Sequence, residues 1–322
     1  MKSITIPALY CPFESKINKH LASTEQHTNN WIRQFKLHEG ADFEKFLGDN
    51  FAYMTARFYP EASEKNLWLA NDINSLLFVM DDAMDNQVDR ADMIKTKNNL
   101  LEFIDKCNAI LHHPGTYAGS PTGVFAAFHD VWIRLMAIST PEWQQHFIQS
   151  LQMMFQAAVW EFDNVSTGKI PTVSEFYNTR QFLGAAHIST DMISVIEEVN
   201  ISQELLDHPT VHELTVLARN AVCWANDLFS LTKELEHGDK HNMVIIVKEE
   251  RQTDLQSAIR ETVMIHDKDI HRFVTLANEL PGVDPDNADL RKYIRILSAI
   301  LIGNIDWSSA ETKRYNFEFV RA

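Results

Sequence analysis

From about residue 40 to residue 309, apolar positions in this 322-residue chain recur every 3.6 residues, and no alternating run is long enough to build a sheet. A chain patterned in this way buries its side chains along helical stripes, so the fold class expected is all-α. Only 10 glycines and 10 prolines interrupt it, a low count for the length, and few breakers favour long helices. The pattern predicts helices over about 42–59, 63–85, 90–112, 120–137, 141–166, 173–198, 203–236, 239–265, 267–280 and 286–309. The breaks fall at HHPGTYAGSPTG (112–123), TPEW (140–143), STGKIP (166–171), EHGDKHN (236–242) and LPGVDPDN (280–287). No long linker, low-complexity tract or repeat divides the chain, so residues 1–322 are expected to form a single domain. The first 40 residues are more polar and irregular and are read as an N-terminal extension laid over the helical body.

An apolar fraction of 45% is enough for a large core. The 44 acidic residues outnumber the 29 basic ones for a formal charge of −15, which argues against nucleic acid or an anionic membrane surface as partner. Cys11, Cys107 and Cys223 are odd in number, scattered, and without metal-ligand spacing. They fit a reducing cytoplasm. The opening MKSITIPALYCPFESK lacks the continuous apolar core of a secretory signal, and no window approaches the roughly 20 apolar residues of a membrane span, so a soluble protein is expected.

The chemistry is carried by two stretches. In SLLFVMDDAMDN, Ser75 to Asn86, an apolar helical stripe runs into Asp81, Asp82 and Asp85. Asp81 and Asp85 share a face, with Leu77 and Phe78 one turn earlier, so the carboxylates continue the core-facing side. Three carboxylates this close repel one another unless a cation neutralises them, and a hard, oxygen-seeking divalent ion, above all Mg2+, suits the cluster. The same string also reads as a helix reaching solvent in an acidic protein.

The second stretch, CWANDLFSLTKELEHGDKHN, places Asn226, Ser230 and Glu234 at i, i+4 and i+8, one row along a helix, with Ala218 and Val222 extending the row backwards. An amide, a hydroxyl and a carboxylate make a hard-cation site of low charge, leaving a bound Mg2+ free to grip phosphate. Alone, such a row is also an ordinary polar helix face. Two constellations of hard ligands at the ends of two apolar faces are harder to dismiss.

Together these residues resemble the bacterial class I terpene synthases over nearly the whole chain. DDAMD is similar to the family's aspartate-rich motif, and NDLFSLTKE matches its N-D-x-x-S-x-x-K-E motif at every fixed position. HGDKHNMV is similar to the turn and helix start that follow, LYCPF (9–13) to the N-terminal segment, and TKRYNF carries the family's Arg-Tyr pair as Arg314 and Tyr315. GKIPTVSEFYNTRQFLGAAH resembles the segment with the diphosphate-sensing arginine, here Arg180, 46 residues before Asn226. Leu183 and Gly184 then fall on the positions called linker and effector, where a helix break couples diphosphate recognition to ionisation. Leu183 departs from the polar residue of some members.

The resemblance implies a single antiparallel α-helical barrel around an apolar cavity, both metal motifs facing each other at its mouth. It implies ionisation of a prenyl diphosphate and cyclisation of the resulting carbocation, with farnesyl diphosphate as first choice and geranylgeranyl diphosphate as alternative. By the same resemblance Asp81 and Asp85 hold one side of a three-Mg2+ cluster, and Asn226, Ser230 and Glu234 hold the third ion. Asp82 is a ligand or a partner of Arg314. Arg180, Lys233, Arg314 and Tyr315 donate to the diphosphate; a homodimer is compatible with the family. Aromatic faces stabilise cations without acting as nucleophiles, which makes Phe78 and Trp307 candidate pocket residues beside the motifs.

Rival readings are weaker. A chain-elongating prenyltransferase carries two D-D-x-x-D motifs, and the row from Asn226 to Glu234 stands where the second would be; a squalene-synthase-like enzyme is disfavoured for the same reason. The D-x-D-D of protonation-initiated cyclases is absent. His208 and His212, and the pairs His129-Asp130 and His266-Asp267, suggest a zinc site or a metal-dependent phosphohydrolase, although Pro209 argues against a clean i, i+4 histidine pair. A non-enzymatic helical binding protein explains the charge and helicity but leaves the two aligned ligand rows to coincidence.

Overall fold

The computed structural model describes residues 4–85, 93–280, 287–315 and 317–319, with 82–85 and 318–319 described by backbone alone. Helices supply almost every element. In order they are α1 (Leu21–Gln34), α2 (Gly40–Asp49), α3 (Phe51–Phe58), α4 (Glu64–Asp85), α5 (Met93–His112), α6 (Val124–Ile138), α7 (Pro141–Thr167) and α8 (Val173–Leu183). There follow α9 (Ala186–Asp191), α10 (Ile193–Ile196), α11 (Gln203–Leu206), α12 (Pro209–His237), α13 (Met243–Arg251), α14 (Leu255–Glu279) and α15 (Ala288–Asp306), which runs into a π-helical turn, Trp307–Glu311. The only strands among the described residues, β1 (Thr5–Ile6) and β2 (Glu318–Phe319), are a two-residue parallel pair that ties the chain's ends together.

Local chemistry sets the helix ends. Thr140 accepts a hydrogen bond from the Trp143 N–H and Pro141 occupies the first helical position of α7, while Gly168 at φ 69° closes it. A reciprocal Thr172–Glu175 capping box opens α8. Pro209 begins α12, with His208 accepting from the Thr210 N–H, and Gly238 at φ 76° ends it. The proline that argued against a histidine metal pair thus makes His208 a helix cap.

Several boundaries differ from those the periodicity predicts. The helix expected over 42–59 divides at Asn50, which adopts a left-handed conformation (φ 53°). The span 173–198 divides into α8, α9 and α10, and 239–280 breaks at Gln252 (φ 51°) rather than near residue 266. Residues 21–34, expected to be irregular, form α1. Its inner face includes Thr24 and Thr28 beside Trp31 and Ile32, and those threonines satisfy their hydroxyls on the His20 carbonyl and on Asp72, so the buried stripe is not an apolar one.

Two apolar clusters fill the interior. The larger gathers side chains from α1 through α15, and the smaller lies among β1, α8, α13 and the first half of α14. Helix α12 runs through both: Val211, Leu214 and Ala218 belong to the first, Trp224, Leu228 and Leu231 to the second. It packs against α8, α9, α13, α14 and α15. Each fully buried leucine on it contributes about 2 kcal/mol of apolar burial, so the polar row at its C-terminal end rides on an immobile support.

Candidate active site at the end of α12

Asn226, Ser230 and Glu234 occupy the last turns of α12 and form one hydrogen-bonded row. The Ser230 hydroxyl, with a single proton to give, lies 2.8 Å from the Asn226 carbonyl and 2.6 Å from Glu234 Oε1. Glu234 Oε2 accepts from Asn242 Nδ2 at 2.6 Å. Burial pushes the Glu234 carboxyl up to about 7, and the negative charge of Asp227 adds to the effect. A cation at this row would relieve that stress, and the donor set of amide oxygen, hydroxyl and carboxylate fits a hard divalent ion. The residues predicted as third-ion ligands are therefore brought together.

Arg180 leaves the last turn of α8 and lies against the same helix. Its Nε donates to Asp227 Oδ1 at 2.8 Å, and its Nη2 stands 2.7 Å from that oxygen and donates to Asn226 Oδ1 at 3.0 Å. Burial works against the guanidinium charge, but Asp227 opposite it holds the Arg180 pKa above its ordinary value. The second oxygen of Asp227 accepts from the Met243 N–H at 2.8 Å, fastening the start of α13 to the pair. Gly184 makes room for a neighbour rather than for an unusual backbone angle. Its φ is −85°, and a Cβ there would collide with the Arg180 guanidinium and meet Cys223 Sγ at 3.2 Å. The expected helix break lies here: Leu183 is the last residue of α8, Ala185 is left-handed at φ 52°, and α9 begins at Ala186.

On the other side, Tyr315 accepts from Asn226 Nδ2 at 2.8 Å, and burial pushes its phenol up to about 12. Arg314 pairs with Asp49 at 3.2 Å and stands 4.9 Å over the Phe78 ring. Phe78 stacks on Phe51 at 4.3 Å and meets Trp307 at 6.3 Å, and Trp307 meets Tyr315 edge-on at 5.9 Å. Trp307 is 1% exposed and donates its indole N–H to the carbonyls of Asp49 and Asn50, which leaves only a ring face to offer. A continuous series of contacts thus joins the aspartate end of α4 to the α12 row, from Phe78 through Arg314 and Trp307 to Tyr315 and Asn226. Asp81 is exposed near the end of α4. The side chains of Asp82 and Asp85, and with them the expected Asp82–Arg314 pairing, lie outside the described residues.

A cleft of about 520 Å³ is lined by Lys45, Lys233, Lys313 and Arg314, with Glu44, Asp49 and His237; Lys233 and His237 come from the same end of α12 as the row. Among the described residues Lys45, Lys233 and Lys313 form no ion pair. Three residues to which the sequence pattern assigns no role hold this region together. Asp227 sits one position off the ligand row; Asn242, which also donates to the Asp227 carbonyl at 2.6 Å, carries the signal of a helix cap before an apolar run; Asp49 lies 265 positions from its partner. The histidine pairs have structural tasks instead. His129 Nε2 is 2.9 Å from the Pro114 carbonyl, Asp130 accepts from Trp31 and pairs with Arg134, and Asp267 accepts from the Tyr10 N–H beside His266.

Residues 72–272 match the family model described as terpene synthase family 2, C-terminal metal binding. The chain is 30% identical over 306 residues to the (+)-T-muurolol synthase of Roseiflexus castenholzii, named as cyclising (2E,6E)-farnesyl diphosphate, covering 95% of this chain and 92% of that protein. It is 26% identical to the germacrene A synthase of Nostoc punctiforme, covering 99% and 98%. Among solved structures, 2-methylisoborneol synthase from Streptomyces coelicolor A3(2), in complex with Mg2+ and 2-fluoroneryl diphosphate, superposes with a TM-score of 0.85 at 19% identity, covering 96% of this chain and 97% of that one. Germacradien-4-ol synthase from Streptomyces citricolor gives a TM-score of 0.81 at 22% identity, covering 94% and 97%. The all-α fold is thus that of the class I terpenoid synthases, and the family match, spanning the helix that bears the polar row, carries the function: the chain belongs to the terpene synthase family and is a class I terpene synthase.

Proposed function

We propose that this enzyme ionises farnesyl diphosphate and cyclises the resulting carbocation to a sesquiterpene. The observation that carries the reading is the row Asn226–Ser230–Glu234 lying against Arg180 and Tyr315, on the helix whose Lys233 lines a lysine-bearing cleft. The C15 substrate is supported by the relative named for cyclising it, similar over 95% of this chain. Asn226, Ser230 and Glu234 would hold one Mg2+, and Asp81 with Asp85, and Asp82 where it is not paired with Arg314, would hold the others of a set of three. Bound there, the ions would supply Lewis acidity to the leaving diphosphate.

The chain's own residues do the rest. Arg180 and Arg314 present planar forks to phosphate oxygens, Lys233 adds a mobile charge, and the Tyr315 hydroxyl adds a donor. Receiving the anion on these groups reconciles a diphosphate substrate with a chain of net charge −15. Gly184 leaves the guanidinium room, Leu183 is the last residue of α8, and the turn that follows them would couple anion recognition to the site. The ring faces of Phe78 and Trp307 border the site on the apolar side, where a carbocation gains from π density and from exclusion of water. We read residues 1–322 as one domain, since the larger core draws on helices from α1 to α15. Free thiols at Cys11, Cys107 and Cys223 support the cytoplasm as its compartment; no helix among the described residues is long and apolar enough to cross a membrane.

Incubating the purified protein with C10, C15 and C20 prenyl diphosphates and Mg2+, followed by gas chromatography with mass spectrometry, tests the proposal. A cyclic C15 hydrocarbon or alcohol is the expected product. A cyclic product from the C20 substrate alone would overturn the chain-length assignment, and diphosphate release without any terpene product would overturn the cyclase reading.

A further inference from the structure

The break between α8 and α9 is held in an unusual way. Ala185 adopts a left-handed conformation that side chains other than glycine seldom take, and such a turn persists only where its surroundings over-determine it. At the break the Ala185 N–H bonds to the Phe182 carbonyl, three residues back, so the Gln181 carbonyl loses its usual helical donor. His187, 1% exposed, fills that gap: its Nδ1 lies 3.0 Å from the Gln181 carbonyl. Its Nε2 lies 2.8 Å from the Ser150 carbonyl in the middle of α7. One imidazole therefore sits between the Gln181 carbonyl before the break and the Ser150 carbonyl of α7. A neutral ring donates to one of these carbonyls, and a protonated ring to both.

The far end of α9 is fixed by a separate set of polar contacts. Asp191 accepts from Ser150 Oγ at 2.6 Å and from Arg219 Nη2 at 2.6 Å, and Arg219 Nε donates to Thr190 Oγ1 at 2.6 Å. Ser150 thus holds α9 at two points, by its carbonyl and by its hydroxyl. Arg219 sits on α12 two turns before Asn226, which ties the position of α9 to the helix carrying the polar row. Between these anchors lies Gly184, whose missing Cβ is what admits the Arg180 guanidinium.

We propose that His187 is a positioning residue for the diphosphate-sensing arginine. Seated between the Gln181 and Ser150 carbonyls and donating its one N–H to one of them, it fixes the Gly184–Ala185 turn against which Arg180 is laid, and so the direction in which the guanidinium meets an anion. This rests on the functional reading above, and its test uses inorganic diphosphate with Mg2+ as the probe, so that it does not depend on which terpene is made.

The variants are His187→Leu, which removes both polar contacts, His187→Gln, whose amide keeps donors, Arg180→Lys, and the double variant His187→Leu/Arg180→Lys. Diphosphate affinity is measured by titration calorimetry and counted per folded molecule from the binding stoichiometry. His187→Leu should weaken binding about tenfold, and the double variant should bind no more weakly than Arg180→Lys alone, because a residue acting through Arg180 has nothing further to lose. His187→Gln should recover most of the affinity. Wild-type affinity per folded His187→Leu molecule would show a purely structural role and overturn the proposal. So would losses that multiply in the double variant, or a His187→Gln no better than His187→Leu. Failure of the wild type itself to bind diphosphate with Mg2+ would overturn the functional reading, and this proposal with it.

Discussion

The polar row on α12 and the cleft that Lys233 and His237 of the same helix help to line are built on opposite terms. In the row each side-chain polar atom has a partner: the Asn226 amide bridges Arg180 and Tyr315, Ser230 bridges Asn226 and Glu234, and Glu234 is held by Ser230 and Asn242. In the cleft Lys45, Lys233 and Lys313 converge on 520 Å³ with no ion pair among the described residues, in a chain where acids outnumber bases by 44 to 29. The row is preorganised and must exchange partners to take a cation. Each net hydrogen bond there is worth about 1 kcal/mol, so the exchange costs little against the charge a divalent ion would neutralise. Among the described residues the cleft's three lysines stand without ion pairs beside Glu44 and Asp49, a setting an anion suits. The difference separates two jobs: the row fixes geometry, and the cleft supplies attraction.

Truncating the row should do the most damage. Asn226→Ala or Glu234→Ala is expected to lower turnover by about a thousandfold or more, as for other preorganised electrostatic groups, with the far-ultraviolet circular dichroism unchanged. A variant keeping most of its activity would remove the row from metal binding. Arg180→Lys comes next. It keeps the charge but loses the planar fork, and a loss of about 10- to 100-fold in kcat/KM follows from a charged hydrogen-bond contribution of about 1.5–3 kcal/mol. A wild-type rate would refute its part in sensing diphosphate.

The cleft should respond more mildly and in a different parameter. Lys233→Ala is expected to raise KM by about tenfold with a smaller change in kcat, and Lys45→Ala with Lys313→Ala by a few-fold, an effect that fades as salt screens these exposed charges. If the Lys45 and Lys313 substitutions lowered kcat and spared KM, the division between geometry and attraction would fail.

The smallest expected effect is on stability. His241 precedes Asn242, the residue that holds Glu234, and its imidazole is pushed down to about 4 by burial and, next, by the Arg180 charge. Its folded pKa lies below its unfolded value of about 6.5, so the unfolded chain binds the extra proton first. Stability from this group is therefore full above about pH 6.5, declines as the pH falls, and has been lost below about pH 4. The melting temperature should drop between pH 7 and pH 5, and His241→Asn should flatten that part of the profile. An unchanged slope in the variant would place the acid sensitivity elsewhere.

How far the sequence could be read follows from the same contrast. The row was legible because i, i+4 and i+8 are local, and the glycine at 184 because it ends a helix in a motif. Asp227 stands at a fixed position of the motif without showing its task there, and Asn242 and Asp49 carry no such sign, since each works through a partner brought near only by the fold, 265 positions away in the case of Asp49 and Arg314. The boundaries followed the same logic. Long apolar helices such as α4 and α7 were placed within a few residues, whereas α1 hid its inner face behind Thr24 and Thr28. The helix boundary that the pattern predicts at residue 266 is not one. His266 and Asp269 are buried within α14, where Asp269 accepts from the Trp224 and Tyr177 donors at 2.9 Å. Burial satisfied by distant donors leaves no periodic trace.

The most direct test of this account is to locate the cation. Crystals grown with Mn2+ in place of Mg2+ and with inorganic diphosphate should give an anomalous peak coordinated by Asn226 Oδ1, Ser230 Oγ and Glu234, with the diphosphate reached by Arg180 and the cleft lysines. A diphosphate-bound crystal with no peak at that row, its internal hydrogen bonds intact and the cations elsewhere, would contradict it.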